Sequence, residues 1–330
     1  MNRLIVIGAS SGGIRALLRL TGELPEALPA AVLIVQHIGA HRSTLPNILG
    51  QRCRLPVAHP FDGEPLQPGV VRIAPPDEHM SVEGGRIRLG RGPKEHHTRP
   101  AIDPLFRSAA IDRGPSVVGV VLTGMLDDGT PGLAAIKARG GTAVVQEPGD
   151  AEFPSMPESA LRYVEVDHRL PLEAMAALLA SLAAEPVAPA LAARSKEGAL
   201  DHEQAVALGR GEVVAHLSAI AEPSMFACPE CHGGLWKLFD ARPERYRCHT
   251  GHAYTLRTLQ RAMAETSDEA SWNAVRALQE RVLVLRRMEA VERDNGNFGV
   301  AARIAEVREQ LERQVDVLRG AVEEAPDPVE

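Results

Sequence analysis

Three residue types that together perform acyl transfer fall at the ends of apolar, strand-like runs. Ser10, with Ser11 beside it, follows Leu4-Ile5-Val6-Ile7, and His37 follows Ala31 to Gln36. Asp127 and Asp128 close the run Thr123-Gly124-Met125-Leu126-Asp127-Asp128-Gly129, which follows Val117 to Leu122. A serine hydroxyl is a weak nucleophile until a base takes its proton, and an imidazole base works best when a carboxylate fixes its tautomer. Each of these residues also ends strands for ordinary reasons, as a cap or a turn, so only their conjunction points to chemistry. The turn Gly8-Ala9-Ser10-Ser11-Gly12-Gly13 has a second reading of its own. A small, Gly-flanked turn between a strand and a helix aims backbone N–H groups outward, so it either cradles a phosphate or dinucleotide or mounts a nucleophile.

A second constellation lies late in the chain. Cys228-Pro229-Glu230-Cys231 is followed by Cys248-His249-Thr250-Gly251-His252, a C-x₂-C-x₁₆-C-x₃-H spacing that matches a structural zinc site. Cys228, Cys231, Cys248 and His252 would be its ligands. His249 is the alternative fourth ligand, although an adjacent Cys-His pair strains tetrahedral geometry. A redox pair at Cys228 and Cys231 is the competing use of the first two thiols. Four protein ligands leave no open position, so such a zinc would hold the fold and take no part in catalysis.

The elements that must position these residues alternate in type. After the Leu4 strand, Ile14 to Leu20 reads as an amphipathic helix, and after Ala31 to Gln36 a short helix fits Ser43 to Leu49. Val70 to Ala74 is strand-like, and Met80 to Val82 with Arg86 to Leu89 flank Glu83-Gly84-Gly85 as a hairpin. Helix-like spacing covers Asp103 to Asp112 and Gly132 to Arg139, with strands at Val117 to Leu122 and Thr142 to Gln146. Apolar strands alternating with helices predict an α/β domain with a mostly parallel, doubly wound sheet. Ligands of such sheets bind beyond the carboxyl ends of the strands, where Ser10, His37 and Asp128 all fall.

The domain boundaries read from the sequence are 1–185 for this catalytic domain, 186–222 for a linker, 223–262 for a zinc-ribbon-like unit and 263–330 for a helical hairpin. Trp236 to Phe239 and Tyr246 to Cys248 supply the ribbon's strands. In the hairpin, Val275, Leu278, Val282, Leu285 and Met288 recur at steps of three and four, as do Ile304, Val307, Leu311, Val315 and Leu318. Asp294-Asn295-Gly296-Asn297 forms the turn between them. The hairpin is a candidate for dimerisation or for docking a partner.

Composition sets the class. The 330 residues carry 45% hydrophobic and 24% charged residues and a formal net charge of −7. These values are ordinary for a soluble globular protein and give no sign of nucleic-acid affinity. No apolar stretch approaches the roughly 18–20 residues that cross a bilayer, and the first twenty residues do not form a signal peptide. Four cysteines, three of them clustered, fit a reducing cytoplasm and a metal site better than a disulfide framework.

Six segments in order resemble the catalytic domain of the chemotaxis protein-glutamate methylesterase (CheB-type) family. They are Gly8-Ala9-Ser10-Ser11-Gly12-Gly13, Gln36-His37, Ala74-Pro75-Pro76-Asp77-Glu78-His79-Met80, Arg99-Pro100-Ala101-Ile102-Asp103, Leu122-Thr123-Gly124-Met125 and Asp128-Gly129. The resemblance spans roughly residues 3–165. It implies Ser10 as nucleophile, His37 as base and Asp128 as the residue that orients His37, with Asp127 as the competitor for that role. It further implies an oxyanion held by backbone near Met125 and His37, and Arg99 near the substrate groove. Ser11 would cap the following helix or donate its N–H to substrate. The implied reaction removes methyl esters from glutamate side chains of methyl-accepting receptors and releases methanol, with no catalytic cofactor. Whether glutamine side chains are deamidated as well is left open. Leu126 stands where the family motif has glycine. His79, His96 and His97 read as surface loop histidines outside the site. Similar cysteine-rich tails occur on some stand-alone family members. The first strand begins at Leu4, so no receiver domain is expected ahead of it, and either activity is constitutive or control passes to the C-terminal region or a separate protein.

The rival reading is a short-chain-dehydrogenase-like protein that uses the Gly-Ala-Ser-Ser-Gly turn for NAD(P). Against it, the second strand ends in Gln36-His37 where an acidic ribose partner belongs, and no Tyr-x-x-x-Lys pair is present.

Overall fold

A computed structural model describes residues 3–39, 42–187, 198–239 and 241–324. The chain divides into two compact units, Met1–Thr258 and Leu259–Glu330.

The first unit opens with β1 (Arg3–Ala9), whose residues from Leu4 onward are all buried. Ile5 and Ile7 face one apolar layer while Leu4 and Val6 face the other, so every position must be apolar. The elements that follow are α1 (Gly13–Glu23), β2 (Ala30–Gln36), α2 (Leu45–Gly50), β3 (Val57–Ala58), β4 (Val71–Ile73) and the hairpin β5 (His79–Glu83) and β6 (Arg86–Gly90). Next come α3 (Ile102–Arg113), β7 (Val117–Val121), α4 (Thr130–Ala138), β8 (Thr142–Gln146), α5 (Ser155–Tyr163), β9 (His168–Leu170) and α6 (Leu172–Ala184). Seven strands make one sheet in the order β3-β4-β2-β1-β7-β8-β9, and every pair in it is parallel. Leu17 and Leu20 of α1 and Met175 and Leu179 of α6 cover one face; Leu105 and Phe106 of α3, Ile136 of α4 and Met156 of α5 cover the other. This is the doubly wound α/β architecture that the strand pattern predicts.

Beyond α6 the structure departs from the sequence reading of residues 186–222 as a linker. Its described residues include α7 (Ala199–Ala207) and α8 (Val213–Ile220), and β10 (Ala221–Ala227) begins inside it. Only Glu203 and Val206 of α7 are buried, so no apolar stripe marked the helix. Its anchor is ionic: Arg107 of α3 donates to Gln204 Oε1 at 2.8 Å, and Glu203 accepts from Arg245 and Arg247 at 2.8 and 2.9 Å. β10 joins β11 (Gly234–Leu238), β12 (Arg245–Cys248) and β13 (Ala253–Thr255) in a four-stranded antiparallel sheet. β11 and β12 are the two strands expected for the ribbon, flanked by two more. α9 (Leu256–Asp294) starts directly after β13.

In the second unit α9 continues into the turn before α10 (Phe298–Glu323). Val275 and Val282 pack with Leu311 and Val315, supported by Leu278, Leu285 and Leu318, as the helical periodicity requires. Met288 and Val307, members of the same apolar series, are exposed.

Candidate active site

Ser10 lies one residue past β1. Its N–H donates to Thr123 O at 3.0 Å, and its carbonyl accepts from Gly13 N and Gln36 Nε2, both at 2.8 Å. The turn into α1 depends on Gly12, which is left-handed (φ 76°) and caps the helix through its backbone. Ser11 precedes that cap and is not the capping residue, contrary to one expectation. Gly124 meets a different need. A Cβ there would fall 2.8 Å from Ser10 Cβ and 2.1 Å from Met156 Sδ, so only glycine lets the Thr123–Met125 backbone close against the serine.

His37 is the first residue after β2. Its Nδ1 is 2.9 Å from Ser10 Oγ, and its Nε2 is 2.7 Å from Asp128 Oδ2. With Nε2–H donated to the carboxylate, the Nδ1 lone pair faces the serine hydroxyl. The His37 backbone N–H donates to Ala9 O at 3.1 Å, so it is committed to the sheet edge and not to an oxyanion.

Asp128 is clamped by backbone donors. Oδ2 also accepts from Ile102 N at 2.8 Å, while Oδ1 accepts from Asp103 N at 3.1 Å and Gly129 N at 2.8 Å. Ile102 and Asp103 open α3, whose own cap residue Ala101 supplies no side-chain bond, so Asp128 serves as the cap from another loop. Burial would raise its pKa, but the charge of His96 and the bond from His37 outweigh that and lower it to about 2. A carboxylate fixed in this way stays ionised and keeps its aim.

Asp127, the competitor, points elsewhere: its Oδ1 accepts from Thr255 Oγ1 at 2.8 Å. Burial raises its pKa. Leu126 adopts φ 62°, a left-handed conformation that glycine takes freely, and its carbonyl accepts from Ser155 Oγ at 3.1 Å. A leucine held in that conformation carries a local cost of about 1–2 kcal/mol. Met125 follows Gly124, whose N–H donates to Phe153 O at 2.9 Å and whose carbonyl accepts from Met156 N at 3.0 Å, pinning the backbone beside Ser10.

Arg99 is engaged inside the protein. Its Nε and Nη2 donate to Asp77 Oδ1 at 2.9 and 2.7 Å, and Nη1 donates to Gly92 O at 2.7 Å. It ties the Ala-Pro-Pro-Asp segment to the Arg-Pro segment and leaves little to offer a substrate. Two of the three loop histidines are not on the surface. His79 is buried, with Nδ1 accepting from Ala101 N at 3.2 Å and Nε2 donating to Pro93 O at 3.0 Å. His96 is buried too: its Nε2 is 2.7 Å from Asp103 Oδ2 and 3.5 Å from Asp128 Oδ1. Burial alone would lower the pKa of His96, but the Asp128 and Asp103 carboxylates raise it to about 9. His97, paired with Glu230 at 2.6 Å, is half-buried. Nothing in the local sequence separates His96 from His97; the ribbon packed over it makes the difference.

Cys228, Cys231, Cys248 and His252 converge, with one ligand atom of each within 4.8 Å of the others. Cys231 Sγ and Cys248 Sγ are 3.7 Å apart, and Cys248 Sγ is 3.5 Å from His252 Nδ1. A tetrahedron with metal–sulfur bonds of about 2.3 Å has edges of about 3.8 Å, so the spacing fits zinc. His249 is exposed, outside the cluster. His96, Asp103 and Asp128 also lie within 4.8 Å of one another. Their oxygens are already filled, since Gly132 N donates to Asp103 Oδ1 at 2.7 Å and Asp128 accepts three backbone N–H groups, so this group is an ionic cluster.

A family model described as CheB methylesterase matches residues 5–179. The chain belongs to the CheB methylesterase family. The match covers Ser10, His37 and Asp128 and removes the dinucleotide-binding reading; Gln36, at the ribose position, bonds Ser10 O and His37 O instead. A Leptospira interrogans relative is 38% identical over 180 residues, 54% of this chain and 93% of that one. A Methanosarcina mazei protein named protein-glutamate methylesterase/protein-glutamine glutaminase 2 is 38% identical over 185 residues, 53% of this chain and 50% of its own length. Among solved structures, the CheB methylesterase catalytic domain of Thermotoga maritima superposes with a TM-score of 0.53 at 32% identity, covering 55% of this chain and 99% of that domain. The likeness is thus confined to about the first half of this CheB-family chain. No helix of the described residues is long and apolar enough to cross a membrane.

Proposed function

We propose that this CheB-family protein is a serine esterase that removes methyl groups from glutamate side chains of methyl-accepting receptors. The observation that carries the reading is the unbroken path Ser10 Oγ, His37, Asp128, with contacts of 2.9 and 2.7 Å, inside a matched methylesterase domain. Ser10 Oγ attacks the γ-carbonyl carbon of the glutamyl ester while its proton passes to His37 Nδ1. The C–OCH₃ bond then breaks, and the same proton leaves with the methoxide as methanol. Water, deprotonated by His37, attacks the glutamyl–Ser10 ester; the C–Oγ bond breaks, His37 returns the proton to Ser10 Oγ, and the carboxylate is freed. Base catalysis of this kind is worth about 10²–10⁴-fold. The oxyanion falls to the backbone N–H groups of Met125 and Ser11, because that of His37 is taken. Each such donor contributes on the order of 10²–10³-fold. Replacing methanol by ammonia as the leaving group gives the glutaminase reaction in the relative's name. We place the enzyme in the cytoplasm, where its cysteines stay reduced.

We further propose that Cys228, Cys231, Cys248 and His252 bind zinc as a structural ion. The donor set supports this: three thiols and an imidazole converge with one ligand atom of each within 4.8 Å of the others, the nitrogen and sulfur set that a structural zinc takes. The ion supplies the cross-link that closes the ribbon; none of the steps above passes through it. A fluorophosphonate probe tests the nucleophile independently of substrate identity. Peptide mass spectrometry is expected to place the adduct on Ser10; labelling on any other residue, or none, counts against the reading.

A further inference from the structure

His96 joins the triad to the C-terminal ribbon. Its backbone N–H donates to Ala253 O of β13 at 2.8 Å, and its Nδ1 lies 3.3 Å from Thr258 Oγ1 at the start of α9. On its other edge, Nε2 meets Asp103 Oδ2 at 2.7 Å and comes within 3.5 Å of Asp128 Oδ1. The residue is left-handed, with φ 54°, and its side chain is 4% exposed, so the backbone bend and the burial hold one orientation. The groups facing its Nε2 edge are carboxylates, while Nδ1 faces the Thr258 hydroxyl. Asp103 comes from α3, and Asp127 and Asp128 come from the loop after β7. Asp127 is itself held by Thr255 of the ribbon at 2.8 Å. Behind them, Glu95 and Glu203 pair with Arg107, Arg245 and Arg247, a cluster of two carboxylates and three guanidinium groups that locks the ribbon to α3 and α7.

We propose that His96 is a positioning residue of the esterase, seated by β13 and the first turn of α9, and that it balances and orients the Asp128 carboxylate on which His37 depends. The inference rests on the triad reading and adds to it that the ribbon is a working part of the active site. The chain of contacts is short. β13 and Thr258 fix His96, His96 presents a positive ring edge to Asp128 Oδ1, and Oδ2 of the same carboxylate holds His37. Taking that positive charge away leaves the field of Asp128 less balanced and stabilises the protonated form of His37. The base is then available only at higher pH.

The test is His96→Gln, which keeps a side-chain amide to donate to Asp103 and removes the charge. The acid limb of kcat/KM for methanol release is expected to move up by about one unit, as one charge at this range implies. ¹⁵N-imidazole spectra of Ser10→Ala and of Ser10→Ala/His96→Gln read the same coupling without turnover, and the His37 ring should titrate at higher pH in the double variant. Because Ser10 is absent from that pair, a failed nucleophile assignment and a failed His96 assignment give different results. If His96→Gln does not fold, the wild-type spectrum decides: His96 stays protonated through neutral pH. An acid limb and a His37 titration unmoved in folded His96→Gln, or a wild-type His96 that loses its proton near pH 6.5, overturns the proposal.

Discussion

Asp127 and Asp128 are neighbours in the chain and serve opposite partners. Asp128 accepts from His37 Nε2 at 2.7 Å, and Asp127 accepts from Thr255 of the ribbon at 2.8 Å. The two amides should therefore separate cleanly. Asp128→Asn is expected to lower kcat about 10⁴-fold by spoiling the tautomer of His37. Asp127→Asn, which keeps an oxygen for Thr255, should stay within about tenfold of wild type, the range of a group one residue removed from the reacting atoms. Steady-state methanol release checks both, and a larger loss in Asp127→Asn would reverse the assignment.

Acid stability follows from the same carboxylate. The folded pKa of Asp128 is lowered to about 2 from an ordinary 3.8, burial being outweighed by His96 and His37. A depressed folded pKa adds stability above the unfolded value and loses it as pH falls through the folded one. Glu203, lowered to about 2 from 4.5 against its burial by Arg245, Arg247 and Arg107, adds in the same direction. Urea midpoints should fall between pH 4.5 and 2, and Asp128→Asn should fall less steeply below pH 4. Parallel slopes would contradict this linkage.

The buried ions that lock the ribbon to the catalytic domain form a closed set. Arg247 bonds Glu95 at 3.2 Å and Glu203 at 2.9 Å, and its side chain is 1% exposed. Removing one partner strands the opposite charge, so Arg247→Met should cost about 3–5 kcal/mol. Adding Glu95→Gln should return part of that loss, measured as a coupling energy in a double-mutant cycle by chemical denaturation. Strict additivity of the two variants would mean that the cluster does not act as a unit.

Leu126 offers a stabilising change. Its φ of 62° suits glycine, and Leu126→Gly should raise stability by about 1 kcal/mol with activity retained. Thermal unfolding measures it; a destabilised Leu126→Gly would mean that the leucine side chain contributes more than its backbone costs.

Metal content gives a fourth structural check. Purified protein is expected to carry one zinc per chain, and Cys231→Ser should lose it along with the protection of Cys228 and Cys248 from thiol reagents. Stoichiometric zinc retained in Cys231→Ser, or a metal-free protein with fully protected thiols, contradicts the proposed ligand set.

Sequence pattern carries far at the sheet and fades at the ribbon. β1, β2 and β7 are buried on both faces, so their uninterrupted apolar runs announce strands and place Ser10, His37 and Asp128 beyond their ends. The short edge strands β3 and β9 bury few side chains and leave no such mark. α7 is hidden for another reason, since its anchor is a glutamate among arginines brought from two elements distant in sequence, α3 and β12. The same holds for His96. Its role comes from β13 and α9, more than 150 residues away, and no local spacing encodes that contact. Arg99 shows the converse, a residue whose motif is plain while its contacts, Asp77 and two carbonyls, are revealed only in the folded chain.

In this mechanism Ser10 attacks and Ser11 does not. Methanol release from methylated receptor membranes, followed for wild type, Ser10→Ala and Ser11→Ala, tests it most directly. Ser10→Ala should lose about 10⁴–10⁶-fold in rate while Ser11→Ala keeps most of its activity. Methanol released by Ser10→Ala at near wild-type rate would mean that Ser10 is not the nucleophile.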